Sequence, residues 1–194
     1  MAKAPDHKGR VSPVIKAVNM EISRGDGSRN YRDKRKNNGL GGTWRNYPPL
    51  HESGILPEKN FMPQGTEEAA NQYRDTFEEN YYVKDESCFK CGIACHKNVY
   101  EAVEKNGKKK PGEFFVKLDY EPMNLMSTNL GIYNQAQTLE AVELTDDMGF
   151  DSISLGVVLG YAMEYNERRD QGASGEKILD GIKFGDFEGV MDLT

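Results

Sequence analysis

Cys88-Phe89-Lys90-Cys91-Gly92-Ile93-Ala94-Cys95 holds all three cysteines of the 194-residue chain, at a C-x2-C-x3-C spacing. Thiolates this close in sequence can converge on one small object, and Gly92 lets the backbone turn tightly between them. Three is an odd number for disulfides and one short of a four-cysteine metal site. Two readings stay open on spacing alone: an iron–sulfur cluster completed by a ligand elsewhere, or a zinc site closed by a histidine. His96 is a poor fourth ligand, because adjacent residues rarely both point at one metal, and His7 and His51 have no supporting spacing. The plain alternative is three free cysteines buried as small apolar side chains.

Composition narrows the setting. Hydrophobic residues make up 37% of the chain and there are 20 glycines, so much of it must be surface or loop. No apolar run is long enough to span a bilayer, and Met1-Ala2-Lys3-Ala4-Pro5-Asp6 lacks the apolar core of a secretory signal. A cytoplasmic, reducing compartment follows, which suits thiolate ligands, with no membrane partner. Residues 1–46 carry 11 Lys and Arg against 4 Asp and Glu, while the remainder carries 14 against 27. The basic stretch Arg29 to Lys36 has one tyrosine, no aromatic interleaving and no nucleic-acid motif after it. Residues 1–45 therefore read as a basic, solvated, partly irregular connector and not as a nucleic-acid arm.

Residues 46–194 read as a mainly α domain with one small β-hairpin after the cysteines. Val11 to Ser23 carries a mixed pattern, strand or short helix. Gly39-Leu40-Gly41-Gly42 is a glycine cluster, weak as a phosphate loop because no strand precedes it and no Gly-Lys-Ser/Thr follows. Gly54 to Phe61 reads as an apolar turn ending in an extended segment. A helix is expected from Thr66, as N-cap, to about Tyr82, with Ala70, Tyr73 and Phe77 on one face. Asn98 to Glu104 and Glu113 to Tyr120 read as two strands joined by the turn chemistry of Asn106 to Gly112. Asn134 can cap a helix over about 135–148, Gly149 suits its C-terminus, and Asp151 or Ser152 can cap a second. The run Ile153 to Met163 is apolar nearly all round, so that helix is expected to be buried, with Gly156 and Gly160 admitting a second helix closely. Phe187 begins a helix that the chain leaves after about two turns, as a piece of a larger protein would.

Several of these segments together resemble the tungsten- or molybdenum-dependent aldehyde ferredoxin oxidoreductases. Cys88-x2-Cys91-x3-Cys95 resembles the family's cluster segment, Tyr120-Glu121-Pro122 its Tyr-Glu motif, and Asp146-x-x-Gly149-Phe150-Asp151 its pterin-binding motif. Gly54-Ile55-Leu56-Pro57-Glu58-Lys59-Asn60-Phe61 is similar to a recurring segment before the cysteines, and Ala162-Met163-Glu164 and Phe184-Gly185-Asp186 fit downstream. The likeness covers about residues 40–190. Family members are considerably longer, and a β-rich N-terminal domain, the fourth cluster cysteine, the second pterin motif and a histidine-bearing segment have no counterpart here. Phe150 stands where leucine is commoner. The resemblance thus implies the multi-helical middle domain of such an enzyme, incomplete at the C-terminus, as a fragment or a split subunit.

From that resemblance come the expected roles. Cys88, Cys91 and Cys95 would hold a [4Fe–4S] cluster, since its irons take soft thiolates in tetrahedral array. Asp146, Gly149, Phe150 and Asp151 would bind a tungsten- or molybdenum-bis-pterin (tungstopterin or molybdopterin). Glu121 would act as general base or acid as an aldehyde becomes a carboxylic acid, with Asp119 as its competitor. Electrons would leave through the cluster to ferredoxin or a similar carrier. The remaining domains or subunits are implied partners, a homodimer is allowed, and this chain alone is expected to be inactive. Two alternatives stand beside this reading: reduction of an aromatic acyl thioester within the same family, and a non-redox, zinc-stapled binding module.

Overall fold

A computed structural model of the chain describes residues 11–24, 42–62, 65–89, 91 and 95–193. In chain order its main elements are α1 (Val11–Arg24), α2 (Tyr47–Glu52), α3 (Arg74–Asn80), β1 (Tyr81–Glu86), β2 (His96–Lys105) and β3 (Lys108–Leu118). They continue with α4 (Tyr120–Leu125), α5 (Gln135–Met148), α6 (Ser152–Asp170) and α7 (Phe187–Leu193), with 3-10 turns between. The fold is mainly α with one small antiparallel sheet, as the sequence predicts. Most of the glycine cluster, residues 39–41, lies outside the described residues.

Local chemistry sets the helix ends where it was read. Asn134 Oδ1 accepts from the N–H of Ala136 at 2.9 Å and of Gln137 at 3.2 Å, satisfying donors that the first turn of α5 leaves open. Gly149 follows α5 with φ 74°, the left-handed conformation that closes helices. Asp151 Oδ1 accepts from Ser154 N–H at 2.6 Å and starts α6. Asp186 plays the same part for α7, accepting from Gly189 N–H at 3.0 Å.

The stretch before the cysteines differs from expectation. One helix from Thr66 to Tyr82 does not form. Glu67–Gln72 is a 3-10 helix, the chain breaks at Tyr73 with φ −66° and ψ 144°, and α3 runs only to Asn80. The side chain of Thr66 does not cap the 3-10 helix, and its N–H donates to Glu58 Oε1 at 3.2 Å. Tyr81-Tyr82-Val83, strand formers by their aromatic and branched side chains, then leave the helix and open β1. The hairpin expected after the cysteines exists, and β1 adds a third strand in the order β1-β2-β3. Its turn is tighter than expected: Asn106 and Gly107, both at positive φ, connect the paired Lys105 and Lys108. Asn-Gly is the pair that a two-residue turn of this kind favours. Lys108 to Gly112 belong to β3 and not to the turn.

The core gathers Trp44, Tyr47, Phe77, Leu118, Met123, Met126, Leu130 and Met163, all buried. Trp44 packs edge-on against Phe77 at 5.0 Å between ring centres and donates its indole N–H to Gln72 O at 2.8 Å. Gly54 to Phe61 does not end extended. Lys59, Asn60 and Phe61 take φ of 43°, 58° and 62°, a costly run for side-chain-bearing residues. It is held by Lys59 N–H on Thr128 O (3.1 Å) and Asn60 N–H on Asn129 O (2.9 Å).

α6 is not buried all round. Leu159, Ala162 and Met163 face the core, whereas Ile153, Val157, Val158 and Tyr161 are exposed. Its glycines do admit close neighbours. A Cβ on Gly156 would lie 2.4 Å from Leu125 O, and one on Gly160 2.8 Å from Asn129 Nδ2. The close partners are thus the end of α4 and the loop after it, not a long second helix. Among the described residues no helix is long and apolar enough to cross a membrane.

Candidate metal centre and cofactor face

The cysteine segment is the loop between β1 and β2. Glu86 pairs with His96 across the antiparallel ladder, so the chain leaves and re-enters the sheet at one point. That pairing brings Cys88 and Cys95 to the same end of the sheet. All three cysteines are free, Cys88 exposed and the other two half-buried. Cys91 N–H donates to Cys88 O at 2.9 Å, a tight turn between the first two. Lys90 and residues 92–94 lie outside the described residues, and among the described ones no set of three His, Cys, Asp or Glu side chains is gathered closely enough to hold a metal.

The electrostatics of the loop suit a cation. Burial pushes the Cys95 thiol up, and Asp119, Cys88 and Cys91 push it further in the same direction. Thiols crowded with a carboxylate resist ionising, and a bound metal cation reverses that balance. Three thiols on one short loop are also the soft donors that iron–sulfur clusters and zinc select. The donor chemistry therefore fits such a group.

His96 contributes more than its position in sequence suggested. It is buried, and its Nδ1 lies 3.7 Å from Cys88 Sγ. Adjacency to Cys95 argues against it, because successive side chains in a strand diverge, yet the β1–β2 pairing folds Cys88 back towards it. Burial, followed by the nearby Lys117, lowers its pKa, favouring the neutral ring.

Beneath the loop lies an ion network of two buried cations and two half-buried carboxylates. Lys97, with no exposed surface, sits directly across the ladder from Asp85. Its Nζ contacts Asp85 Oδ1 at 2.9 Å and donates to Cys95 O at 3.1 Å and His96 O at 3.4 Å. Arg74, 2% exposed, holds the same Asp85 oxygen at 2.8 Å and Glu78 at 3.0 Å. Gly42 closes the arrangement at φ 72°, where a Cβ would lie 2.1 Å from Cys95 O and 2.4 Å from Lys97 Nζ. Nothing in the cysteine spacing announces this network. The only available signal was a charged residue in each of two facing strands.

The other predicted residues fall into two groups. Lys117, at the end of β3, binds Asp119 at 3.0 Å. Burial pulls its pKa down, but Asp119, Cys88 and Asp146 outweigh that and raise it. Lys117 thus touches Asp119 directly and feels the charges of Cys88 and Asp146. Asp119 also accepts from Thr43 Oγ1 at 3.4 Å, and Thr43 Oγ1 accepts from Tyr120 N–H at 3.1 Å. Glu121 is half-buried in the first turn of α4, and its side chain forms no hydrogen bond or ion pair among the described residues. Burial, with Glu121 beside it, pushes the neighbouring Tyr120 up to about 12. Gly149, Phe150 and Asp151 are exposed at the α5–α6 turn. They make local capping contacts, while Asp146 alone of the four is tied electrostatically to the cysteine side. The clefts at Asn71, Tyr81 and Tyr133, and at Lys59, Met163 and Phe184, include none of the predicted site residues.

Comparison with known proteins gives one consistent answer. A family model described as "Aldehyde ferredoxin oxidoreductase, domains 2 & 3" matches residues 28–194. Proteins named tungsten-containing aldehyde ferredoxin oxidoreductase from Pyrococcus abyssi and Pyrococcus horikoshii are each 33% identical over 119 residues. That from Pyrococcus furiosus is 30% identical over the same length. In each case the match covers 61% of this chain and 18% of the relative, so the chain spans under a fifth of their length.

Proposed function

From the premise that the chain belongs to the aldehyde ferredoxin oxidoreductase family, we propose that it is the cluster-bearing part of a tungsten- or molybdenum-pterin enzyme that oxidises aldehydes. The observation that supports this reading is the β1–β2 pairing that brings Cys88 and Cys95 to one end of the sheet, with Lys117, bound to Asp119 at 3.0 Å, in electrostatic reach of Cys88 and Asp146. In the overall reaction an aldehyde and a water become a carboxylic acid, two protons and two electrons. When bound, the pterin metal supplies the two-electron chemistry and the cluster a one-electron exit to a ferredoxin-like carrier.

This chain's own residues would hold those groups and manage a proton. Cys88, Cys91 and Cys95 supply three thiolates, and a fourth ligand comes from elsewhere in the enzyme. Asp146 accepts N–H bonds from a pterin ring, and the turn at Gly149, Phe150 and Asp151 offers backbone groups to it. Glu121 takes a proton from water. Asp119 is the weaker choice for that task, because Lys117 and Thr43 already occupy its oxygens. Glu121 has no such engagement, and a half-buried carboxylate is well suited to general-base work. The exposed apolar side chains of α6, Ile153, Val157, Val158 and Tyr161, offer a face for the remaining domains.

A second reading rests on His96. Zinc bound by sulfur at about 2.3 Å and nitrogen at about 2.0 Å in tetrahedral array sets the two ligands about 3.5 Å apart. The Cys88–His96 separation of 3.7 Å is close to that, so a Cys3His zinc site is the competitor. Aldehyde-dependent reduction of a one-electron dye by the assembled enzyme, compared with reduction of an aromatic acyl thioester, tests the activity. Turnover of neither substrate by an iron-loaded enzyme would overturn the assignment.

A further inference from the structure

Buried ion pairs seldom stabilise a fold better than apolar side chains of the same size, so a fully buried lysine asks for another explanation. Lys97 could have spent all its donors on Asp85. Instead its ammonium also reaches the carbonyl oxygens of Cys95 and His96, at 3.1 and 3.4 Å. The space it needs is kept open by Gly42, where any Cβ would come within 2.4 Å of Nζ. Asp85 is held in turn by Arg74 at 2.8 Å, so the carboxylate cannot follow a drifting lysine. The fold therefore holds one ammonium against the carbonyl of the last cysteine, with its counter-charge on the paired strand β1.

We infer that Lys97 is a positioning residue for the cluster loop, orienting the Cys95 peptide and setting the charge environment of the group its sulfur holds, with Asp85 as the opposing charge. This rests on the cluster reading above. A cluster gains negative charge when reduced, so a nearby ammonium favours the reduced form and a nearby carboxylate opposes it. The two residues must then act with opposite signs. A purely structural pair would instead show the same effect from either partner.

The test is a redox titration, followed by electron paramagnetic resonance, of the anaerobically purified assembled enzyme carrying Lys97→Met or Asp85→Asn. Lys97→Met keeps the side chain's length and removes its charge. It should lower the midpoint potential, so that the reduced-to-oxidised ratio at a fixed potential falls about tenfold. Asp85→Asn should raise the potential. Unchanged potentials with full iron content, or shifts of the same sign, overturn the inference while leaving the cluster reading intact. If one variant loses its iron, the sign shown by the other decides. Loss of iron from both alike makes the pair a scaffold only and overturns the inference. A wild-type enzyme without iron refutes the cluster reading itself.

Discussion

The cysteine loop and the Gly149 turn are the two places where this chain is expected to meet a cofactor, and they are built in opposite ways. The loop stands on buried charge: Arg74, Asp85 and Lys97 form a continuous network whose last member touches the Cys95 carbonyl. The turn stands on local capping alone, with Gly149, Phe150 and Asp151 all exposed. The difference teaches where pre-organisation lies. One site is positioned by the interior of this chain. The other is an exposed edge with local contacts only, which would need a facing surface to become a site.

Two glycines put that contrast to its sharpest test. Both hold positive φ, 72° at Gly42 and 74° at Gly149. An added Cβ at Gly42 strikes the backbone of Cys95, whereas at Gly149 it meets nothing within 4 Å. Gly42→Ala should cost about 3 kcal/mol or more and displace the cysteine loop, while Gly149→Ala should cost only about 1 kcal/mol of backbone strain. Urea unfolding of both variants measures this directly, and equal losses would erase the distinction.

Next in size is an effect on chemistry. Glu121→Gln in the assembled enzyme should lower turnover about 100-fold while cluster and pterin content stay at wild-type levels. Wild-type turnover would return the proton-handling role to Asp119 or to a residue outside this chain. Smaller again is Asn134→Ala, which removes the cap of α5 and should cost about 1 kcal/mol. Cysteine reactivity with a thiol reagent should be unchanged in it, because α5 is capped locally and the loop is not held by that cap.

The smallest expected effect is the acid dependence of the network. Burial raises the Asp85 carboxyl, but Arg74 and Lys97 outweigh it and hold the pKa below the ordinary 3.8. A carboxylate depressed in the folded state contributes stability that is complete above its unfolded value. That stability is lost as pH falls from about 3.8 through the lower folded value. Acid unfolding of Asp85→Asn should therefore be flatter in that window than wild type, and parallel curves would remove Asp85 from the account.

How much of this was readable from sequence depended on how local the cause was. The caps Asn134 and Asp151 and the stop at Gly149 are decided within a few residues, and they form as the sequence predicts. The strand β1 is masked in the sequence because the helical face of Thr66 to Asn80 runs into it, and the local strand preference of Tyr81-Tyr82-Val83 is decided only by pairing with β2. The approach of His96 to Cys88 is hidden for the same reason. It needs the Glu86–His96 pairing, which no spacing rule records. The burial of Lys97 was illegible too, since a lysine between a histidine and an asparagine reads as surface until Asp85 and Arg74 close over it. Along α6 the apolar run suggested burial all round. An exposed apolar face has the same composition as a core face, and only packing tells them apart.

On the proposed function, Cys88, Cys91 and Cys95 hold an iron–sulfur cluster beside the proposed pterin face. Metal and acid-labile sulfide analysis of the anaerobically purified assembled enzyme, with its visible spectrum, tests this most directly. About four iron and four sulfide per copy of this chain and a broad brown absorption are expected, lost in Cys88→Ser but kept in His96→Gln. One zinc per chain, no iron, and release of that zinc in His96→Gln would contradict it and establish the Cys3His site instead.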